Sequence, residues 1–287
     1  MKYDIVMWSK NGQQYLKIVL RRIDEVVPGE VVNRKIFIND HSIDSSAKLA
    51  KDFNWEVYDN IGYGIGNAAA LALSKVKTER FISFEQDIYL CKDWFDKLSP
   101  LLDDPTVAVA QGWRVASEKT QKHLDEISVL AFGRNLYSID NNIYKTDVVR
   151  SVGGFSNKVF YHVDAVLRAS IIAEGYRWIC DTSVVSTHLK PHSFMKEVQR
   201  AYRMMQEMPI LKREGVLSKE DLEKLKTHNM ILRFLRSPLL GIGLAMYKKD
   251  PLLALYYIAL RFVRLKSILE KGSKWKDHEG KLLGLVK

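Results

Sequence analysis

Cysteine is almost missing: the 287 residues contain two, Cys91 and Cys180, with no CxxC and no His/Cys ligand spacing. A disulfide framework and a zinc finger are thereby excluded, and a reducing compartment is the natural setting. The N-terminal stretch MKYDIVMWSK has only four consecutive apolar residues, Ile5 to Trp8, and no small-residue cleavage site, so no secretory signal is expected there. Acidic charge is scarce in one region. Residues 188–287 hold 21 Lys and Arg against 10 Asp and Glu, whereas residues 1–187 hold 23 against 24. The net +10 of the chain is therefore a property of its last third, and a near-neutral body with a basic tail implies two functional zones. Apolar residues at 47% and charged residues at 27% are ordinary globular proportions, which exclude a disordered or collagen-like chain.

Over its first 185 residues the chain alternates between strand and helix signals. Tyr3 to Trp8, Lys35 to Ile38, Trp55 to Tyr58 and Arg80 to Phe84 read as strands. Helical patterns run through Tyr15, Ile18, Val19 and Ile23, then from Ser45 to Phe53 and, after a loop carrying Gly62, Gly64 and Gly66, from Asn67 to Val76. This order predicts an α/β fold, a doubly wound, mostly parallel sheet with helices on both faces. Ligands of such sheets sit at the carboxyl ends of the strands. The first, second and fourth strands deliver polar clusters there: Ser9-Lys10-Asn11, Asn39-Asp40 and Glu85-Gln86-Asp87. A helix from Ala165 to Glu174 and a strand from Ile179 to Ser186 follow.

Beyond residue 192 the pattern changes, which divides the chain into 1–192 and a basic helical region, 193–287. Residues 194–230 read as long, charged helix. Pro238–Tyr247 and Pro251–Leu260 are apolar stretches split by Lys248-Lys249-Asp250 and flanked by Arg233, Arg236, Arg261, Arg264 and Lys266. Each is half the roughly 20 residues of a spanning helix, so amphipathic helices lying on an anionic membrane surface are expected. Packing onto the protein body or a dimer contact is the alternative. Nucleic-acid binding would interleave aromatics with Lys and Arg over an open sheet, so no nucleic-acid partner is expected.

Within the polar clusters, Glu85 and Asp87 are spaced i, i+2 and share one side of the chain. Such a pair can grip a divalent cation that bridges a diphosphate, because hard cations prefer oxygen ligands, or it can form an acidic turn before the next helix. Asp40 can accept from a nucleobase imide and a ribose hydroxyl, with Asp44 left to cap the helix near Ser45. Asp164 stands at the start of a helix, either as an N-cap or as a general base that takes a proton from an acceptor hydroxyl. His188, just beyond a strand, can complete a metal's coordination, with His192 second to it. Specificity is assigned to the stretch between Gly112 and Asn142, around Trp113, Arg114 and His123.

These motifs, Val6 to Asn11, Ile38 to Asp44, Phe84 to Asp87 and Gly153-Gly154-Phe155 leading to Val163-Asp164, resemble in order and spacing the family 2 glycosyltransferases, inverting enzymes of the GT-A fold. The resemblance spans residues 3–192. It implies that Ser9, Asn11 and Asn67 line the nucleotide pocket, that Asp40 reads base and ribose, and that Glu85 and Gln86 contact the nucleotide sugar. It further implies that Glu85 and Asp87 are the ends of the metal-binding DxD, that His188 joins the metal, and that Asp164 is the catalytic base. Trp8 stands where the family usually has proline, Asn39 replaces an aspartate, Glu85 replaces the first Asp of DxD, Gly66 stands where many relatives have arginine, and Val163 replaces the Glu of ED.

The expected activity is an inverting, Mn²⁺- or Mg²⁺-dependent transfer from a UDP- or GDP-linked sugar to a polyprenyl-phosphate or glycan acceptor. The expected location is cytoplasmic, peripheral to the inner face of the cell membrane. The alternatives are a catalytically inactive sugar-nucleotide-binding or membrane-binding relative and a nucleotidyltransferase. The latter normally carries a Gly-rich basic loop where this chain has Ser9-Lys10-Asn11-Gly12-Gln13-Gln14.

Overall fold

Strand β1 (Tyr3–Ser9) is buried along its whole length, so from Ile5 to Trp8 it reads as an apolar run rather than an alternation, and the buried Asp4 is paired with Asn33 and the Lys77 amide. The elements that follow in the computed structural model are α1 (Gln13–Val26), β2 (Val32–Asn39), α2 (Ser46–Asp52), β3 (Glu56–Asp59), α3 (Gly64–Lys75), β4 (Arg80–Glu85), β5 (Ile88–Tyr89), α4 (Trp94–Leu98), β6 (Val107–Ala116), α5 (Lys119–Phe132), β7 (Asn141–Lys145), α6 (Thr146–Ser151), α7 (Val163–Ala173) and β8 (Arg177–His188). Helices α8 (Phe194–Gln206), α9 (Met208–Arg213), α10 (Lys219–Lys224), α11 (Thr227–Leu235), α12 (Ser237–Lys248) and α13 (Leu252–Leu269) complete the described elements. The structure describes residues 1–132, 137–189 and 193–270; His192, a candidate metal ligand, lies outside them. Two compact units result: Met1–Ser117 with Asp125–Pro191, and Glu118–Leu124 with His192–Lys287.

The first unit is built on one eight-stranded sheet in the order β3-β2-β1-β4-β7-β6-β8-β5. Pairings among β1 to β4 are parallel, as is β6 with β8. The pairings β4–β7, β6–β7 and β5–β8 are antiparallel, so the sheet is mixed, with its parallel half first. The register sets Ser9 opposite Asn39 and Trp8 opposite Glu85, which brings three polar strand ends to one edge. The third strand is displaced by one residue from its sequence reading: Trp55 packs into the core and the strand ends at Asp59. It too delivers polar groups, because Asn60 follows it directly.

Helix α3 begins at Gly64, three residues earlier than its Ala/Leu pattern suggests. Gly66 shows why the glycine-rich stretch belongs to the helix. A Cβ there would lie 2.3 Å from the carbonyl oxygen of Ser156, so the backbone of the 156–157 loop packs directly on it. This contact also accounts for the missing arginine at that position. Gly66→Ala is expected to lower stability by about 1–3 kcal/mol, the usual scale of forced overpacking. An unchanged melting temperature would show that the loop yields without cost.

In the second unit Met205, Met230, Leu265 and Ile268 form an apolar core shared by α8, α11 and α13. The long charged helix expected over 194–230 is broken into α8 to α11, with Pro209 inside the first turn of α9 and Gly215 at φ +70 beyond it. Asp250, in the turn between α12 and α13, is 4% exposed and lies 2.9 Å from His123 Nδ1. No single helix among the described residues is long and apolar enough to cross a membrane; α11 and α12 pass such a test only together, bent by 47°.

Candidate active site

The ends of β1, β2 and β3 are stitched into one loop cluster. Asp40, 7% exposed, accepts from Asn60 Nδ2 at 2.7 Å and from the Gly64 amide at 3.2 Å, while its own amide donates to the Ser9 carbonyl. Gly64, at φ +80, turns its N–H towards the carboxylate in a conformation that glycine adopts without strain. Asn11 accepts from the Ile43 amide, and its own N–H donates to Ser42 Oγ. Asn39 accepts from the Ser42 amide and donates to Asp59. Asp44 accepts from the amides of Gln13 and Ser46, which supplies both α1 and α2 with a partner for an otherwise orphaned N–H. Burial would raise the Asp44 carboxyl, but these hydrogen bonds hold it below its usual range. Ser9 Oγ donates to Gln86 Oε1 at 2.5 Å, and Gln86 also bridges the Lys10 backbone, so β4 is tied into the same cluster. Beside it the His41 ring stacks on Tyr63, centroids 4.1 Å apart. Asn67 donates to the Tyr63 carbonyl at 2.9 Å and so shapes the start of α3.

Asp87 and His188 converge. They are 4% and 7% exposed, with His188 Nε2 3.4 Å from Asp87 Oδ2. The β5–β8 pairing causes this: Ile88 faces His188, and the Leu189 amide donates to the Asp87 carbonyl. No group of three or more His, Cys, Asp or Glu ligands occurs among the described residues. A carboxylate and an imidazole at a strand edge nevertheless suit a Mn²⁺ or Mg²⁺ ion that takes its remaining ligands from phosphate oxygens and water.

Glu85 has other company. Its amide donates to the Asp140 carbonyl, and Trp8 Nε1 donates to its carboxylate at 3.5 Å. Burial, then the charges of Asp140 and Asp87, push its carboxyl up to about 7, against the pull of Arg114. Arg114 Nε donates to Asp140, whose side chain is 2% exposed. Burial works against the Arg114 charge, but Asp140 and Glu85 outweigh it. Trp8, the departure from proline, thus links Glu85 to Phe155, which its ring meets edge-on at 6.1 Å.

Asp164 occupies the first turn of α7 but does not cap it: the capping position belongs to His162, and Asp164 Oδ1 accepts from the Ala165 amide at 2.8 Å. Val163 is 3% exposed, so a glutamate there would be desolvated. Three polar groups of this unit escape a reading of the sequence: Asn60, Asp140 and Arg168. Arg168 follows Asp164 by one helical turn, lies 3.8 Å over the Tyr137 ring, and has a buried Nε with no hydrogen bond. The one available signal was the polar run Asp140-Asn141-Asn142, all three buried, at the start of β7. Of the stretch assigned to specificity, Arg114 reaches this cluster, whereas His123 belongs to the second unit with Asp250.

Comparison with known proteins bears on the fold and the family. Among solved structures, the mannosyltransferase PcManGT from Pyrobaculum calidifontis, in complex with GDP-Man and Mn²⁺, is similar at 17% identity with a TM-score of 0.66, over 92% of this chain and 87% of that one. Mannosyl-3-phosphoglycerate synthase from Rubrobacter xylanophilus is similar at 16% identity and TM-score 0.57, over 76% of each chain. TarS 1–349 from S. aureus is similar at 14% identity and TM-score 0.54, over 95% and 92%. No curated protein matches the sequence. These likenesses carry the GT-A fold. The model of glycosyl transferase family 2 matches residues 4–168, more than half of the chain, and the protein belongs to that family.

Proposed function

We propose that the chain transfers a sugar from a UDP- or GDP-linked donor to an acceptor hydroxyl or phosphate, with inversion at the anomeric carbon. The observation that carries the reading is the buried Asp87–His188 pair, 3.4 Å apart at the ligand edge of the sheet. PcManGT, the similar structure with GDP-Man and Mn²⁺, supports a nucleotide sugar and a divalent ion. Asp87 and His188 would hold Mn²⁺ or Mg²⁺, which supplies neutralisation of the charge on the departing diphosphate when bound. The loop cluster around Asp40, Asn11, Ser9 and Asn67 would receive the nucleoside. Asp164, its carboxylate oriented by the Ala165 amide, would take the proton from the acceptor oxygen as that oxygen attacks. A single in-line displacement inverts the configuration without a protein nucleophile. Arg168, one turn on, offers a cation to a phosphate of donor or acceptor. A polyprenyl phosphate or lipid-linked glycan is the proposed acceptor class, on the strength of the basic, apolar C-terminal region.

Incubation with UDP- and GDP-sugars, with and without Mn²⁺, tests the activity. Metal-dependent release of UDP or GDP is expected from one of them. If every sugar nucleotide is ignored and none raises the melting temperature, the reading fails; pyrophosphate release from a nucleoside triphosphate would place the chain among nucleotidyltransferases instead.

A further inference from the structure

The second unit carries an apolar surface that none of its described elements covers. Leu232 and Leu235 of α11, Leu239, Ile242 and Met246 of α12, and Leu252, Leu255, Phe262 and Leu269 of α13 are all exposed, Leu239 at 78% and Met246 at 75%. Along α11 and α12 the exposed positions advance by three and four residues, and on α13 they do so with Ala259 and Lys266 filling the gaps. Each helix thus keeps one apolar stripe outward. The inward side of α12 is fixed by Gly241, where a Cβ would stand 3.2 Å from the Ala254 carbonyl, so the stripe does not serve the α12–α13 contact.

Cations accompany the stripes. Residues 227–270 contain seven Lys and Arg and two acidic residues. Asp250 is turned to His123, and Glu270 lies with Tyr202 and Lys266. Arg233, Arg236, Arg261 and Arg264 form no ion pair among the described residues. Arg264 is held down at about 10, by burial first and then by the charges of Arg261 and Arg233. Arg261 leans on Tyr257.

We infer that α11, α12 and α13 form a docking face for an anionic lipid surface, with the apolar stripes entering the headgroup boundary and Arg233 and Arg261 taking lipid phosphates. On this inference the face lies on the membrane rather than spanning it: α11 and α12 reach a span's length only together, bent by 47° with Arg236 at the break. Twelve residues of α12 extend about 18 Å, short of the roughly 30 Å hydrocarbon core, and the longer α13 carries three cations in its second half. A second copy of the chain fits the stripes less well, because a two-fold contact would set the same unpaired arginines against each other. An anionic lipid supplies the missing charge.

The test is sedimentation of the full chain with phosphatidylcholine vesicles, with and without phosphatidylglycerol. Binding that requires the anionic lipid and fades as salt rises is expected. Arg233→Gln/Arg261→Gln should weaken it about 25-fold, at roughly a factor of five per basic residue. Leu239→Glu/Met246→Glu should abolish it with an unchanged melting temperature, since both positions are exposed, and should leave sugar-nucleotide turnover in solution as it was. Failure of the intact chain to bind anionic vesicles at low salt overturns the inference, as does full binding by the Leu239→Glu/Met246→Glu variant. A dimer that this variant dissolves, without any vesicle binding, would assign the face to a second copy.

Discussion

Asp164→Asn is expected to slow sugar transfer by a factor on the order of 10² to 10⁴, the scale of losing a general base, while donor affinity and melting temperature stay close to wild type. The geometry separates chemistry from stability. Asp164 does not cap α7; its Oδ1 accepts from the Ala165 amide, and an asparagine oxygen accepts the same bond. What stability is lost comes from the negative charge near a helix N-terminus, about 0.3–1 kcal/mol. Turnover, donor binding and thermal melting of this one variant suffice. Wild-type turnover would mean that the proton is taken elsewhere, and His162, at the capping position, is the residue to change next.

Asp87→Ala should remove metal-stimulated turnover, a loss of at least 10²-fold if Asp87 anchors the ion that neutralises the diphosphate. The readout independent of catalysis is the stabilisation of the protein by Mn²⁺, which should vanish. Asp87 also sits beside His188 where β5 meets β8, so a purely architectural role is a real alternative. That role predicts a lower melting temperature with Mn²⁺ dependence intact. Asp87→Asn distinguishes the two further, because it keeps the shape and the polar contact with His188 but weakens the metal ligand. Retained Mn²⁺ stabilisation in both variants would move the metal site away from Asp87.

The parallel half of the sheet was legible because β1, β2 and β4 have apolar runs that end in polar residues, and burial on both sides leaves that signature. Asp40, Asp87, Asp164 and His188 could be picked out because they follow such runs or open a helix. In the other half only β8 was legible, as the strand read from Ile179 to Ser186. β5 is two residues long, too short for any period, and β7 starts with Asn141 and Asn142, whose side chains are buried in polar pairings. The start of α3 was misplaced because Gly64 and Gly66 read as loop residues, although close backbone approach is what selects them. Asn60 was invisible for a different reason: its partner, Asp40, is twenty residues away, and only the β2–β3 register brings them together.

The Gly66 contact also constrains how this lineage can change. A gene that drifts towards the arginine many relatives carry cannot do so one codon at a time, since the first step puts a side chain into the Ser156 carbonyl. Residues 155–157 must retreat beforehand, and Phe155 is held edge-on against Trp8, Phe81 and Tyr144. An arginine at position 66 therefore needs room that the Trp8–Phe155 contact helps to deny, so shortening Trp8 is the change that would make such a side chain tolerable.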